Sequence, residues 1–184
     1  MKERLGEHVC GKDGVLPQSR AILRFWSFGF HSYTFLSGLS GSGHKHWAVK
    51  ALVNHHSMSD AAFKVMVLDM HKHVLAFAAA LKQRDYPFAV ITTPPPTRRF
   101  KQLAMGYSEA DLIFVDGRLR NIMSDAFARL GVDVIRPPDT VYDNGFLQDR
   151  FYHENPDDHH HGNKAYGQIV LAQVAEYLAR FQSD

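Results

Sequence analysis

The sequence predicts an α/β protein with a central parallel sheet that is covered by helices on both faces. Short apolar runs rich in aliphatic and aromatic residues recur along the chain, as is typical of buried strands. Stretches with apolar residues at helical spacing alternate with them, and polar, Gly-rich or Pro-rich segments separate the two kinds. A chain of 184 residues is long enough for one domain, which we assign to 1–184 with an irregular lead-in over 1–20.

Four strands are predicted from these apolar runs. They are "AILRFWSF", "FKVMVLD", "PFAVITT" and "VDVIRPP", at 21–28, 63–69, 87–93 and 132–138. Three consecutive prolines, 94–96, end the third strand because proline cannot continue a ladder of backbone hydrogen bonds.

Four helices are predicted between and after the strands. "WAVKALVNHH" (47–56) follows a Gly/Ser loop over 36–47, and "VLAFAAALKQR" (74–84) is rich in alanine. "DLIFVDG" (111–117) also fits a short strand, but Ser108 and Asp111 form a capping box that favours one long helix ending at Gly131. A C-terminal helix begins near Asn163, a plausible N-cap, and continues to Phe181.

Composition excludes several classes of protein. The 21 basic and 19 acidic residues are scattered and give a net charge of +2, so no basic stripe indicates nucleic-acid binding. Cys10 is the single cysteine, the first thirty residues lack a secretory pattern, and no apolar run approaches the roughly 20 residues that cross a bilayer. We therefore expect a cytoplasmic protein with neither a nucleic-acid nor a membrane partner, while its oligomeric state stays open.

The twelve histidines indicate where chemistry could occur. Ligands of open α/β sheets bind beyond the carboxyl ends of the strands. Four segments can lie there: the three that follow the first three predicted strands and the one before the last helix. Three of these four segments contain histidine. A serine hydrolase needs a nucleophile, a histidine base, a carboxylate that orients it and donors for the oxyanion. Ser32, His161 and Asp158 are the candidates, and Asp157, His159 and His160 offer competing assignments. The spacing of Asp158 and His161 lets the carboxylate accept a hydrogen bond from the Nδ1–H group of His161.

The stretch 121–178 resembles the C-terminal part of the SGNH/GDSL hydrolase superfamily. Asp158, His161 and Asn163 in "DDHHHGNKAYG" match the D-x-x-H-x-N block of that family, and a strand ending in "PP" precedes it. The resemblance implies a flavodoxin-like, three-layer α/β/α sandwich. It also implies hydrolysis of a small-molecule or glycan O-acyl ester without a cofactor or metal, with Asp158 and His161 as two members of the triad.

The N-terminal blocks of the family are degenerate in this chain. "FGFHSYTF" (28–35) has no G-D-S, and Ser32 lies one position later than the family serine when Gly29 is matched to the family glycine. The asparagine of the third block is missing from "VLDMHKH" (67–73), so His71 or His73 would supply the oxyanion donor. Gly41 is one of three candidates for the second-block glycine, and Ser27 is a less favoured nucleophile because it would lie inside the first strand.

Two other hypotheses remain open from the sequence. The pairs His44/His46 and His71/His73, together with Asp69 and Asp158, could ligate zinc or a similar ion, although no fixed-spacing zinc motif is present. Alternatively, the chain is an SGNH-like module that binds a ligand without catalysis.

Overall fold

The structure, a computed structural model, describes residues 24–27, 30 and 32–180. The predicted lead-in over 1–20, Cys10, Gly29 and Phe181 lie outside the described residues.

The strands form three separate sheets. In chain order they are β1 (Arg24–Ser27), β2 (His44–His46), β3 (His56–Met58), β4 (Phe88–Ile91), β5 (Asp133–Ile135), β6 (Tyr142–Asp143) and β7 (Phe146–Leu147). The central sheet is parallel with the order β1-β4-β5, where Trp26 pairs with Val90 and Val90 with Val134. β2 and β3 form a parallel pair, and β6 and β7 form an antiparallel hairpin.

The helices account for most of the remaining regular structure. They are α1 (Ser32–Gly41), α2 (Asp60–Met70), α3 (Lys72–Lys82), α4 (Lys101–Ala104), α5 (Glu109–Arg129) and α6 (Lys164–Ala179), with 3-10 turns at Asp139–Val141 and Asp149–Phe151. The described chain is therefore a mixed α/β protein with a small parallel sheet.

The sheet carries helices on both sides of β1. Phe25 contacts Tyr177 of α6, with ring centroids 5.9 Å apart, whereas Trp26 contacts Phe77 of α3 at 5.2 Å. Neighbouring residues of a strand point to opposite faces, so these two helices lie on opposite sides. Ala89 and Val90 of β4 have no exposed surface, as expected for a central strand.

The long helix was predicted correctly and supplies much of the core. In α5, the Ser108 hydroxyl accepts a hydrogen bond from Asp111 N at 3.1 Å and donates one to Asp111 Oδ2 at 2.8 Å. The predicted stripe is buried from Leu112 to Ala126, and the chain leaves the helix through Gly131, whose positive φ of 66° suits glycine.

The prediction of a strand over 63–69 was wrong. This segment lies in α2, whose N-cap Ser59 accepts a hydrogen bond from Ala62 N at 3.2 Å. Phe63 and Val67, one helical turn apart, are the buried residues of α2, while Val65 is 66% exposed. The short apolar run suggested a strand, but a single buried stripe was enough for a helix.

The prediction of a helix over 47–56 was also wrong. The segment is irregular between β2 and β3 because a distant carboxylate binds its backbone: Asp111 accepts hydrogen bonds from Lys50 N at 3.0 Å and Ala51 N at 3.1 Å. Leu52 has a positive φ of 59°, which no helix contains. The Gly/Ser segment before it is partly helical, since α1 continues to Gly41.

Candidate active site

Asp158 and His161 form a hydrogen-bonded pair on the loop before α6, which we call the histidine loop (residues 157–162). His161 Nδ1 lies 2.8 Å from Asp158 Oδ2 and 3.0 Å from Oδ1. Within the described chain, no residue hydrogen-bonds the Nε2 atom of His161, and 67% of its side chain is exposed. The carboxylate thus orients the ring and leaves its second nitrogen available for a reacting group.

Contacts within the histidine loop lower the pKa of the Asp158 carboxyl group. Burial alone would raise the pKa of Asp158, but hydrogen bonds from the His161 side chain and from the backbone N–H groups of His161 and His160 hold it well below its usual range. His153 Nδ1 lies 3.8 Å from the same carboxylate. Asp158 is therefore ionised at neutral pH and can stabilise a protonated His161.

Local contacts explain why the loop has this shape. Asn163 caps α6 by accepting a hydrogen bond from Tyr166 N at 3.2 Å, as its position in the sequence predicted. Its backbone and side-chain amides donate to the carbonyl groups of Phe151 and Arg150, and Gly162 forms an isolated bridge with Tyr152. The cap holds the C-terminal side of the loop two residues beyond His161. Asn163 is occupied in this structural role.

Ser32 is the first residue of α1 and follows β1 closely along the chain. It is 3% exposed, and its backbone N–H donates to the Phe30 carbonyl at 3.0 Å. In serine hydrolases the backbone N–H of the nucleophile can bind the oxyanion, but here this N–H is already paired. Ser27, the alternative nucleophile, is the last residue of β1, paired with Ile91.

The histidine loop packs against the beginning of α1. The ring of Tyr33, next to Ser32, lies 4.2 Å from the ring of His160 and 6.3 Å from that of His159. Phe100 also contacts Tyr33, with ring centroids 5.3 Å apart. Burial lowers the pKa of His160, so this ring is neutral in its aromatic surroundings. Ser32 and His161 are brought to the same end of the sheet, although no hydrogen bond joins them among the described contacts.

The loop after β4 forms hydrogen bonds both to Phe30, just before α1, and to the histidine loop. The Thr93 hydroxyl donates to the Phe30 carbonyl at 2.7 Å, and the Thr97 hydroxyl donates to the His159 carbonyl at 3.1 Å. Arg120 of α5 is buried beneath this loop and donates to the carbonyl groups of Thr93 and Pro94 at 2.9 and 2.6 Å.

The other predicted site residues do not join this constellation. Gly41 ends α1, so it lies about 13 Å along the helix axis from Ser32 at about 1.5 Å per residue. His71 follows α2 instead of a strand; its Nδ1 bonds the Val67 carbonyl at 2.7 Å, and burial lowers its pKa. His73 is exposed near the start of α3. No described contact links His71 or His73 with Ser32 or His161.

The histidine groups do not form a metal centre in the described part of the chain, where no three His, Cys, Asp or Glu side chains come together suitably for a metal ion. His46 is instead a buried structural residue. Its Nε2 lies 3.3 Å from Asp60 Oδ1, while its Nδ1 accepts a hydrogen bond from Ala48 N at 3.1 Å. Asp60 is also bound by Arg118 on α5. These contacts tie β2 to α2 and α5.

Sequence reasoning missed the residues that assemble the site: Thr93, Thr97, Arg120 and His153. One signal was present, because Asp116 and Arg120 form an acid–base pair four residues apart beside the apolar stripe of α5. The threonines on either side of the three prolines carried no comparable signal.

No protein-family model, curated protein or solved structure matches this chain. Within the described residues, no helix has the length and apolar character needed to span a membrane.

Proposed function

We propose that this protein is a serine ester hydrolase of the SGNH type, with the three-layer sandwich of that superfamily. One observation carries the proposal: His161 is oriented by Asp158 at 2.8 Å, on a loop packed against the start of the helix that begins with Ser32. Both segments lie at an end of the parallel sheet where ligands of α/β folds bind.

In the proposed mechanism, His161 Nε2 removes the proton from Ser32 Oγ as this oxygen attacks the ester carbonyl carbon. The tetrahedral intermediate collapses to an acyl-serine, and His161 gives the proton to the departing alcohol. Water then attacks the acyl group with the same histidine as base, releasing the acid and restoring Ser32. Asp158 remains ionised throughout and stabilises the imidazolium.

The oxyanion requires donors other than those that the sequence suggests. Because Ser32 N–H bonds Phe30 and Gly41 lies at the far end of α1, we propose the remaining backbone N–H groups in the first turn of α1 for this role. Such groups have no carbonyl partner within their own helix, and the helix dipole favours negative charge there.

The substrate class follows from the surroundings of the pair. Tyr33 and the neutral His160, whose rings are tilted by 56°, form a partly apolar surface beside His161 that suits a small acyl group or a sugar ring. A small-molecule or glycan O-acyl ester is the proposed substrate, and the mechanism uses no metal or other cofactor.

The test is turnover of p-nitrophenyl acetate and butyrate with and without EDTA. The variants are Ser32→Ala and His161→Ala, with Ser57→Ala and His56→Ala as matched controls on exposed β3. We expect chelator-insensitive activity that falls by at least about a thousandfold in the two site variants, as in other hydrolases that lose a triad member. The two controls keep wild-type activity.

Each contrary outcome has a distinct meaning. Equal activity in wild type and Ser32→Ala would eliminate this nucleophile. Activity abolished by EDTA and restored by zinc would favour the metal-dependent alternative. Ligand binding without any turnover would identify a non-catalytic module.

A further inference from the structure

Two threonines of the loop after β4, Thr93 and Thr97, donate hydrogen bonds to the two segments that carry the proposed site. Thr97 is buried, and its hydroxyl donates to the carbonyl of His159, which follows Asp158 directly. The same oxygen accepts a hydrogen bond from Arg99 N at 3.3 Å, so the side chain is fixed from both sides. Thr97 therefore holds the histidine loop between the two members of the Asp158–His161 pair.

Thr93 makes the corresponding contact to the other segment. Its hydroxyl lies 2.7 Å from the Phe30 carbonyl, and the same carbonyl accepts the Ser32 backbone N–H. Displacing Phe30 would thus move the start of α1 and with it the Ser32 hydroxyl.

A buried cation fixes the loop that carries both threonines. The Arg120 guanidinium donates to the carbonyl groups of Thr93 and Pro94, and it pairs with Asp116 at 2.7 Å. Burial alone would lower the pKa of Arg120, but the attraction of Asp116 outweighs this effect and raises it. The guanidinium group therefore stays charged. The prolines at 94–96 further restrict the backbone between the two hydroxyls.

We infer that Thr93 and Thr97 are positioning residues that set Ser32 and His161 at reacting distance through their two carbonyl contacts. The inference rests on the proposed hydrolase function. Because each hydroxyl acts on a backbone carbonyl two residues from a reacting side chain, its loss should displace that side chain without removing a contact to substrate. Small displacements of this kind reduce turnover more than binding.

Thr92 provides the matched control. It is adjacent to Thr93 and 4% exposed, yet its buried hydroxyl has no hydrogen-bond partner within the described structure. Replacing Thr92 with valine keeps the shape and removes no interaction. The same replacement at Thr93 or Thr97 removes the hydroxyl that donates to the Phe30 or the His159 carbonyl.

The experiment compares Thr92→Val, Thr93→Val, Thr97→Val and the conservative variants Thr93→Ser and Thr97→Ser. We measure kcat and KM for p-nitrophenyl acetate from pH 5 to 9 and the rate at which a fluorophosphonate labels Ser32. The valine variants at 93 and 97 should lower kcat and the labelling rate by about tenfold, with KM changed by less than about twofold. Thr92→Val should match wild type, and the serine variants should regain most of the lost rate.

The outcomes separate this inference from the hydrolase proposal. An active wild type whose Thr93→Val and Thr97→Val variants react as fast as Thr92→Val would overturn the positioning role and leave the hydrolase intact. A wild type that neither turns over ester nor is labelled at Ser32 would overturn both. Should a valine variant fail to fold, the cysteine variant at the same position, a weaker donor, takes its place with the same expected loss.

Discussion

Replacing Gly162 with alanine should both destabilise the protein and displace the histidine loop. A Cβ at this position would lie 2.5 Å from Tyr166 Cδ1, 2.6 Å from Cγ and 2.8 Å from Cβ. Atoms this close overlap, so either the loop or the tyrosine must move. Tyr166 cannot move freely because it is 6% exposed and packs against Phe151.

The magnitude follows from the kind of atoms that clash. Inserting a methyl group into a packed site costs about 1–3 kcal/mol, and we expect the upper part of that range because the neighbour is a ring near its attachment point and not a flexible chain end. For a chain of this size, about 2–3 kcal/mol lowers Tm by roughly 4–12 °C. If the loop moves instead of the ring, His161 leaves its position one residue away, and ester turnover falls as well.

The assay is thermal and urea unfolding of Gly162→Ala beside Gly117→Ala. Gly117 lies inside α5, and a Cβ added there meets no atom within 4 Å. Because alanine is the better helix former, Gly117→Ala should stabilise the protein by up to about 1 kcal/mol. A Tm for Gly162→Ala within about 2 °C of wild type would refute the reasoning, since that shift corresponds to less than about 1 kcal/mol.

Three further predictions concern ionic and capping contacts. The hydrogen bond from Arg118 is the main cause that lowers the pKa of Asp60 to about 2. The stabilisation that ionised Asp60 provides is therefore present above the unfolded carboxyl pKa, near 4, and is lost as the pH falls toward 2. The free energy of unfolding in urea should differ between Asp60→Asn and wild type at pH 7 and converge near pH 2, and a difference that is independent of pH would contradict this. Ser108→Ala should cost about 1 kcal/mol in urea unfolding, because the cap of α5 is lost, while Ser108→Thr should cost less. Asp116→Ala should cost about 3 kcal/mol by the same measurement because it leaves Arg120 buried without its carboxylate, and a cost below about 1 kcal/mol would show that the Thr93 and Pro94 carbonyls suffice.

The elements predicted correctly are those whose signals are local. The capping box at Ser108 and the cap at Asn163 define two helix starts by contacts within three residues, and both contacts are present. The strand over β4 was predictable because its apolar run is short and ends at three prolines. The Asn144–Gly145 turn between β6 and β7, with φ of 48° and 87°, also has a local signal, because the Asn-Gly pair favours such a turn.

The two wrong assignments have different physical causes. Over 63–69, a short apolar run is also compatible with a strand, whereas the burial of Phe63 and Val67, four residues apart, follows a helix. Over 47–56, helical spacing was real but irrelevant, because Asp111 binds the backbone N–H groups that a helix would have used. A contact sixty residues away along the chain cannot be seen in a local window.

The candidate site likewise has one part that the sequence predicted and one part that depends on distant contacts. The sequence alone determined that Asp158 and His161 could pair, because three residues of one loop are enough to bring a carboxylate to an imidazole Nδ1. Only the tertiary structure decided that this loop meets the start of α1, and that Gly41, His71 and His73 do not. That meeting depends on Thr93, Thr97 and Arg120, which act on backbone carbonyl groups of segments distant in sequence. Because every residue type offers the same carbonyl, such contacts leave no pattern in the sequence of the segment that receives them.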